Sequence, residues 1–113
     1  MILATVEMPG SRTTAPPEEL VRARFGGELT AATSGRLRDL FREAVGRGET
    51  RLILDLQAVA AMDASGVAAL LYGQRALDAG GGRLVLRANR IVARALRESG
   101  TIPAFDIWNG AGM

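Results

Sequence analysis

Short apolar runs alternate with amphipathic helical segments along most of this chain, and this alternation restricts the folds available to it. Residues 51–56, "RLILDL", and residues 83–88, "RLVLRA", each have the length and composition of a buried strand. Helical patterns lie before, between and after them. Consecutive parallel strands need a long crossover, which a helix usually supplies, so this order indicates an α/β fold with a largely parallel sheet.

The first helical pattern covers residues 30–48. Within it, Leu37, Leu40, Phe41 and Ala44 recur at i, i+3, i+4 and i+7, which places them on one face of a helix. The residues between them are mainly arginines and acids. The pattern therefore predicts an amphipathic helix that packs one apolar stripe against a core.

Two further helices are expected. Residues 66–80 predict a helix whose first two turns are apolar almost all round, and residues 90–99 predict a shorter one. Asn89 is a suitable N-cap for the shorter helix, and Gly100 is a suitable end. The triple glycine at 80–82 precedes a strand and not a helix, so it indicates a turn and not a phosphate-binding loop.

Additional strands are expected near both ends of the chain. Residues 2–8 predict a strand, residues 9–17 a loose loop rich in turn-forming types, and residues 104–108 a last short strand. Residues 20–29 alternate in part and contain a glycine pair at 26–27, which indicates a bulge or a weakened strand. The first two strands could form an antiparallel edge.

The composition excludes several kinds of chemistry. The 113 residues are enough for one domain with its own core, and 48% of them are hydrophobic. Histidine, cysteine and lysine are all absent, which excludes a Ser-His-Asp triad, thiolate or imidazole metal sites, a Schiff-base lysine and a Walker loop. We therefore expect no catalytic residue, no metal site and no cofactor site, and hence no enzyme.

Charge and hydropathy bear on partners and location. The formal net charge is only +2, and the arginines are scattered without interleaved aromatic residues, so direct nucleic-acid binding is not expected. No apolar run approaches the roughly 20 residues of a membrane span. The N-terminus lacks the pattern of a secretory signal. Together with the absence of cysteine, these features favour a cytoplasmic protein that does not associate with a membrane.

The junction at residues 62–71, "MDASGVAALL", places an acid, a hydroxyl and a glycine between a strand and a helix. Asp63 and Ser65 are residue types that cap helices, and Gly66 suits close packing of a helix on a strand. In open α/β sheets this end of a strand is also where ligands and partners dock. A serine there would be exposed on a helix N-terminus that favours an added phosphate. Because no histidine or lysine can activate its hydroxyl, Ser65 is better placed as a substrate of another enzyme.

Three stretches together resemble a known family. They are "GELTAAT" at 27–33, "LILDLQAVAAMDASGVAAL" at 52–70 and "GGRLVLRANRIVARALRESG" at 81–100, and they are similar to a STAS domain of the bacterial anti-sigma factor antagonist group. The resemblance implies a mixed, mostly parallel sheet of four to five strands with helices packed mainly on one side. It implies one STAS domain over residues 1–113, with a strand and loose loop at 1–17, a core at about 18–108 and a tail at 109–113.

The resemblance also implies a regulatory function. In that group, the unphosphorylated antagonist binds an anti-sigma factor that is also a serine kinase, and the sigma factor is released. Phosphorylation of the serine prevents binding until a serine phosphatase removes the phosphate. Carried over to this chain, Ser65 matches the phosphoacceptor, Asp63 the neighbouring acid, Gly66 the following glycine, and Thr33 a threonine near the start of the first helix.

The expected partner-binding residues are Asp63, Ala64, Ser65, Gly66, Thr30 and Thr33. At Thr30 many members of the group carry an aspartate, so recognition by the partner could differ here. Two alternatives remain open from the sequence. One is a non-switching STAS subunit of a lipid-transport or sensory assembly, and the other is a module that binds a small ligand such as a nucleotide. The chain is expected to be a monomer or a weak homodimer.

Overall fold

The computed structural model of the protein describes residues 21–49 and 51–108. Within these ranges the three predicted helices and the predicted strands occur in the expected order, one predicted strand is divided into two, and one further strand is present; a single 3-10 turn covers Ile102–Ala104. The expected strand at 2–8, the loop at 9–17, the antiparallel edge and the tail at 109–113 lie outside the described residues. The strands are β1 (Val21–Arg24), β2 (Gly27–Leu29), β3 (Arg51–Asp55), β4 (Val59–Met62), β5 (Arg83–Arg87) and β6 (Asp106–Ile107), and the helices are α1 (Ser34–Gly46), α2 (Ala64–Ala79) and α3 (Arg90–Glu98).

The strands form two parallel sheets. Strands β1, β3, β5 and β6 make a four-stranded sheet in that order, and β2 pairs with β4. Every strand pair in the described ranges is parallel. Neighbouring strands of the larger sheet are connected along the chain by crossovers that contain a helix. The last crossover also contains the 3-10 turn. The predicted α/β class with a mostly parallel sheet is confirmed.

A bulge at the glycine pair separates β1 from β2. The register of the β2–β4 pair shifts between Gly27 and Glu28, and Gly27 has a positive φ of 82°. A Cβ at Gly26 would lie 2.8 Å from the Cβ of Ala58, so these two segments of the chain approach closely at this point. The bulge that the glycine pair indicated is therefore present, and it divides a predicted single strand into two.

Strand β4 was not predicted from the sequence. Its four residues include two alanines, which have little preference for strands, and it follows a turn only three residues after β3. Asn89, which is distant in sequence, stabilises this turn. Its side-chain amide donates to the carbonyls of Gln57 (3.1 Å) and Val59 (2.8 Å). The same side chain caps α3 by accepting from the Val92 amide at 2.9 Å, as expected. Tertiary hydrogen bonds thus stabilise a strand with a weak local signal.

The core lies on one face of the larger sheet, beneath the helices. Leu52, Leu54, Leu84 and Leu86 alternate along β3 and β5 with more exposed residues, and all four are buried. The apolar stripe predicted for α1 is buried as well. Alternation along each strand sends these leucines toward the helices and their chain neighbours toward the opposite face.

Helices α1 and α2 approach each other closely at Gly73. A Cβ at this position would overlap the ring of Phe41, which is fully buried. The absence of a side chain at Gly73 therefore lets the Phe41 ring lie directly on the backbone of α2. This contact fixes the helix whose first turn carries Ser65.

We expect Gly73→Ala to destabilise the protein by about 1–3 kcal/mol, because the new methyl forces the Phe41 ring out of its site. Chemical denaturation measures the change in the free energy of unfolding. Gly35→Ala is the matched control, because a Cβ there meets nothing within 4 Å and lies in helix α1. The control should be neutral or up to about 1 kcal/mol more stable, and equal losses in both variants would contradict the packing argument.

Candidate functional site

Asp63 caps the helix that begins at the junction. Its backbone is extended, and its carboxylate accepts hydrogen bonds from the amides of Ser65 (2.9 Å) and Gly66 (3.3 Å). Its carbonyl accepts from Gly66 and from Val67 at 3.2 Å. The capping interpretation of Asp63 is confirmed. The amides expected to favour an added phosphate are therefore already bonded to a carboxylate, which corrects that part of the sequence reasoning.

Ser65 is the second residue of α2 and is partly exposed. The capping interpretation does not apply to its hydroxyl, because Asp63 occupies the N-cap position. Within residues 21–49 and 51–108 no group hydrogen-bonds the Ser65 hydroxyl. The side chain thus makes no structural hydrogen bond that a modification would have to break.

Gly66 allows the first turn of α2 to lie directly on the β2–β4 pair. A Cβ at Gly66 would lie 2.6 Å from the carbonyl oxygen and 2.8 Å from Cγ of Leu29, and 3.1 Å from Cγ of Met62. Backbone atoms cannot give way at such distances, so any larger residue would push the helix start off the strands. Gly66 is itself buried, and its close-packing interpretation is confirmed.

The loop between β2 and α1 is closed by Thr33. Its hydroxyl accepts from the Thr30 amide (3.0 Å) and donates to the Glu28 carbonyl (2.6 Å). The Thr30 carbonyl in turn accepts from the amides of Thr33 and Ser34 at 3.0 and 2.8 Å. Thr33 therefore orders the turn that carries Thr30, and both threonines are partly exposed.

Pairing of β2 with β4 brings the two loops together. Leu29 lies opposite Met62, and the Asp63 amide donates to the Leu29 carbonyl at 3.3 Å. Thr30 and Asp63 follow directly on these paired residues, so they stand side by side at the same end of the two strands. The predicted site residues are thus brought to one edge of the molecule.

The accessibility of the predicted site residues differs. Asp63 and Ala64 are exposed, Ser65, Thr30 and Thr33 are partly exposed, and Gly66 is buried.

The sequence analysis did not identify the role of Leu29, whose carbonyl oxygen and side chain both lie against the start of α2. The only local signal was its place as the last apolar residue before the loop, which does not distinguish it from an ordinary core leucine.

In the part of the chain that the structure describes, no three histidine, cysteine, aspartate or glutamate side chains are grouped to hold a metal ion. Of the helices in that part of the chain, none has the length and apolar character needed to cross a membrane.

Comparison with known families identifies the fold family. A family model described as "Mlab, STAS domain" matches residues 15–101, which is most of the chain. This protein belongs to the STAS family. No curated protein matches the chain.

Several solved structures share this architecture. The Bacillus cell fate determinant SpoIIAA in its phosphorylated form is 27% identical, with a TM-score of 0.61 over 83% of this chain and 86% of that chain. Unphosphorylated SpoIIAA, described as an anti-sigma factor antagonist, is 25% identical, with a TM-score of 0.64 over 87% and 86%. A Thermotoga maritima protein, TM1081, described as a candidate anti-sigma factor antagonist, is 18% identical, with a TM-score of 0.74 over 84% and 83%. This last likeness concerns the fold alone.

We expect Asp63→Ala to lower the free energy of unfolding by about 0.5–2 kcal/mol, because the Ser65 amide loses its acceptor and the Gly66 amide keeps only the backbone carbonyl of residue 63. Asp63→Asn is the control, since its side-chain oxygen still accepts these bonds and should retain most of the stability. Denaturant titration of the three proteins provides the measurement. A loss in Asp63→Asn equal to that in Asp63→Ala would show that the carboxylate charge matters more than the cap.

Proposed function

We propose that this STAS protein is an anti-sigma factor antagonist that phosphorylation of Ser65 switches off. In its unmodified form it binds an anti-sigma factor that is also a serine kinase, which releases the sigma factor. A serine phosphatase acting on phospho-Ser65 restores binding. The protein is regulatory, has no catalytic activity of its own, and acts in the cytoplasm.

The placement of the Ser65 hydroxyl carries this proposal. Ser65 is partly exposed on the first turn of α2, and its hydroxyl has no hydrogen-bond partner among the described residues. A kinase can reach such a group without unfolding the helix. The likeness to SpoIIAA, which is known in unphosphorylated and phosphorylated forms, supports the same role for this chain.

Asp63 makes the effect of phosphorylation electrostatic. Its carboxylate already occupies the amides of Ser65 and Gly66, so a phosphate on Ser65 would not be neutralised by them. Phosphorylation adds about −1.5 to −2 charges to a site that carries the Asp63 charge, for a total of roughly −2.5 to −3. The modified helix start would repel an acidic partner surface while its own fold stays the same.

The size of this repulsion is sufficient for a switch. An anionic group of the partner about 6 Å from the phosphate would be repelled by on the order of 1–5 kcal/mol, depending on the effective dielectric. Since about 1.4 kcal/mol corresponds to a tenfold change, affinity would fall by roughly one to three decades. No rearrangement of this protein is required.

The partner-binding surface in this proposal consists of the two adjacent loops. Asp63, Ala64 and Ser65 contribute from the start of α2, and Thr30 and Thr33 contribute from the neighbouring turn. Gly66 contributes indirectly, because it lets the helix start lie close to β2. Thr30 is uncharged where many antagonists carry an aspartate, so this surface presents one negative charge fewer to the kinase.

A non-switching STAS subunit is the second candidate function. The observation that favours it is the matching family model, whose description is "Mlab" and does not mention antagonists. In that case Ser65 would be a passive surface residue at a docking site. The wild-type phenotype would then persist in both Ser65→Ala and Ser65→Glu.

We expect the cognate anti-sigma kinase with ATP to place one phosphate on Ser65, which mass spectrometry of peptides locates. Unmodified protein and Ser65→Ala should bind the anti-sigma factor equally in calorimetry. Phosphorylated protein should bind about ten- to a thousandfold more weakly. Ser65→Glu, with one added charge, should bind about three- to a hundredfold more weakly.

Ser99 provides the control for this experiment. It is an exposed serine at the end of α3, far along the chain from the junction, and its hydroxyl donates to the Leu96 carbonyl. Ser99→Ala should leave phosphorylation and binding unchanged. Phosphate on Ser99 in place of Ser65, or full binding by the phosphorylated protein, would contradict the proposed switch.

A further inference from the structure

One face of the four-stranded sheet carries no helix in the part of the chain that the structure describes. Parallel sheets are normally covered on both faces, because the crossovers between their strands place helices there. Here the exposed face instead carries many charged side chains. We call it the arginine face; it consists of Arg22 and Arg24 from β1, Arg51, Ile53 and Asp55 from β3, Arg83, Val85 and Arg87 from β5, and Asp106 and Trp108 at β6.

The arginine face is strongly positive relative to the rest of the protein. It holds five arginines and two aspartates, a formal charge of +3, whereas the whole chain carries +2. The positive charge of the protein is therefore concentrated on this one surface. Such a surface attracts acidic partners and repels a second copy of itself.

The two aspartates do not neutralise the arginines. Asp55 lies between Arg24 (3.8 Å) and Arg87 (4.0 Å), so one carboxylate serves two guanidinium groups. Among the described residues, the buried Nε of Arg87 has no hydrogen-bond partner. One carboxylate between two guanidinium groups leaves this part of the face with a net positive charge, which attracts further acidic groups.

At the other end of the strands, Asp106 pairs with Arg83 at 2.9 Å. The neighbouring Arg51, which lies opposite Arg83 in the sheet, makes no ion pair within residues 21–49 and 51–108. Arg22 likewise has none there. Arg51 at the start of β3 and Arg22, level with Ile53 at the β1 edge, are thus cationic groups that an acidic partner could engage.

Apolar side chains lie between two rows of arginines, which are Arg51 and Arg83 at the start of the strands and Arg24 and Arg87 at their end. Ile53 and Val85 are paired at the centre of the face, and Ile53 is only 8% exposed. The Trp108 ring lies beside them, with the Arg87 guanidinium 5.2 Å from its centroid. A cavity of about 530 Å³ runs over this apolar centre. The centre lies two positions along the strand from each arginine row, which is a distance of roughly 7 Å.

We propose that the arginine face binds an acidic amphipathic helix of a partner protein. A helix about 10–12 Å wide fits between arginine rows that lie roughly 13 Å apart. Its apolar stripe would cover Ile53 and Val85, and its flanking acids would reach Arg51 and Arg83 on one side and Arg87 on the other. This helix supplies the second covering layer that a parallel sheet usually has. The inference does not depend on Ser65.

Trp108 makes the proposal directly measurable, because it is the only tryptophan in the chain. The probe is a synthetic amphipathic peptide of about 16 residues with leucines along one face and glutamates on both sides of them. We expect one peptide to bind per protein with a change in Trp108 emission, and binding to weaken as salt is added. The same peptide with lysines in place of glutamates should not bind.

Paired arginine variants locate the binding surface. Arg51→Gln with Arg83→Gln should weaken peptide binding about three- to tenfold. Arg75→Gln with Arg97→Gln removes the same charge from exposed positions on α2 and α3 and should leave affinity unchanged. Equal weakening in both pairs would overturn the proposal, because net charge alone would then explain binding.

Other occupants would also overturn it. Tighter binding of a DNA duplex or of anionic vesicles than of the glutamate peptide would assign the face to nucleic acid or to a membrane. Dimerisation that changes Trp108 emission without peptide would assign it to a second copy. Nuclear Overhauser contacts between residues 1–20 and the Trp108 ring in the peptide-free protein would show that the chain covers this face itself. Absence of any peptide binding would exclude the acidic helix.

Discussion

The contact between Gly66 and the backbone of Leu29 determines where the functional edge of this protein lies. Only hydrogen fits between the first turn of α2 and the β2–β4 pair, since a Cβ would lie 2.6 Å from a carbonyl oxygen. Asp63 then caps the same turn. These two local features hold the start of the helix so that Ser65, two residues after Asp63 and directly before Gly66, is partly exposed.

The same turn combines rigidity with accessibility. Its amides are satisfied by Asp63, and its glycine is buried against two strands, so the backbone around Ser65 is firmly held. The Ser65 hydroxyl takes part in none of these interactions. A charge can therefore be added at this position without loss of structure, and its effect falls on whatever approaches the surface.

The larger sheet shows how one set of strands serves two purposes. Leu52, Leu54, Leu84 and Leu86 face the helices and form the core, while alternate residues on β3 and β5 form the arginine face. Alternation along a strand separates these sets completely, because successive side chains point to opposite faces. Hydrophobic burial thus accounts for the leucines on one face of the sheet. The charged residues lie together on the other face.

Much of this structure could be predicted because it follows from local patterns. The stripe of α1, the cap at Asn89 and the apolar runs of β3 and β5 each act over a few residues, and the glycine pair marked the bulge. Strand β4 could not be predicted in this way. Its alanines give little signal, and hydrogen bonds from Asn89, some 30 residues away, define the turn before it.

The candidate site could likewise be predicted only in part from local sequence. The sequence by itself determined that Asp63, Ser65 and Gly66 stand at a strand-to-helix junction, because capping and close packing are short-range effects. Only the tertiary structure decided that Asp63 and not Ser65 provides the cap, and that the Thr30 loop lies beside it. Only the tertiary structure, likewise, gathered five scattered arginines on one face. Such juxtapositions depend on strand pairing between distant segments, which local sequence does not encode.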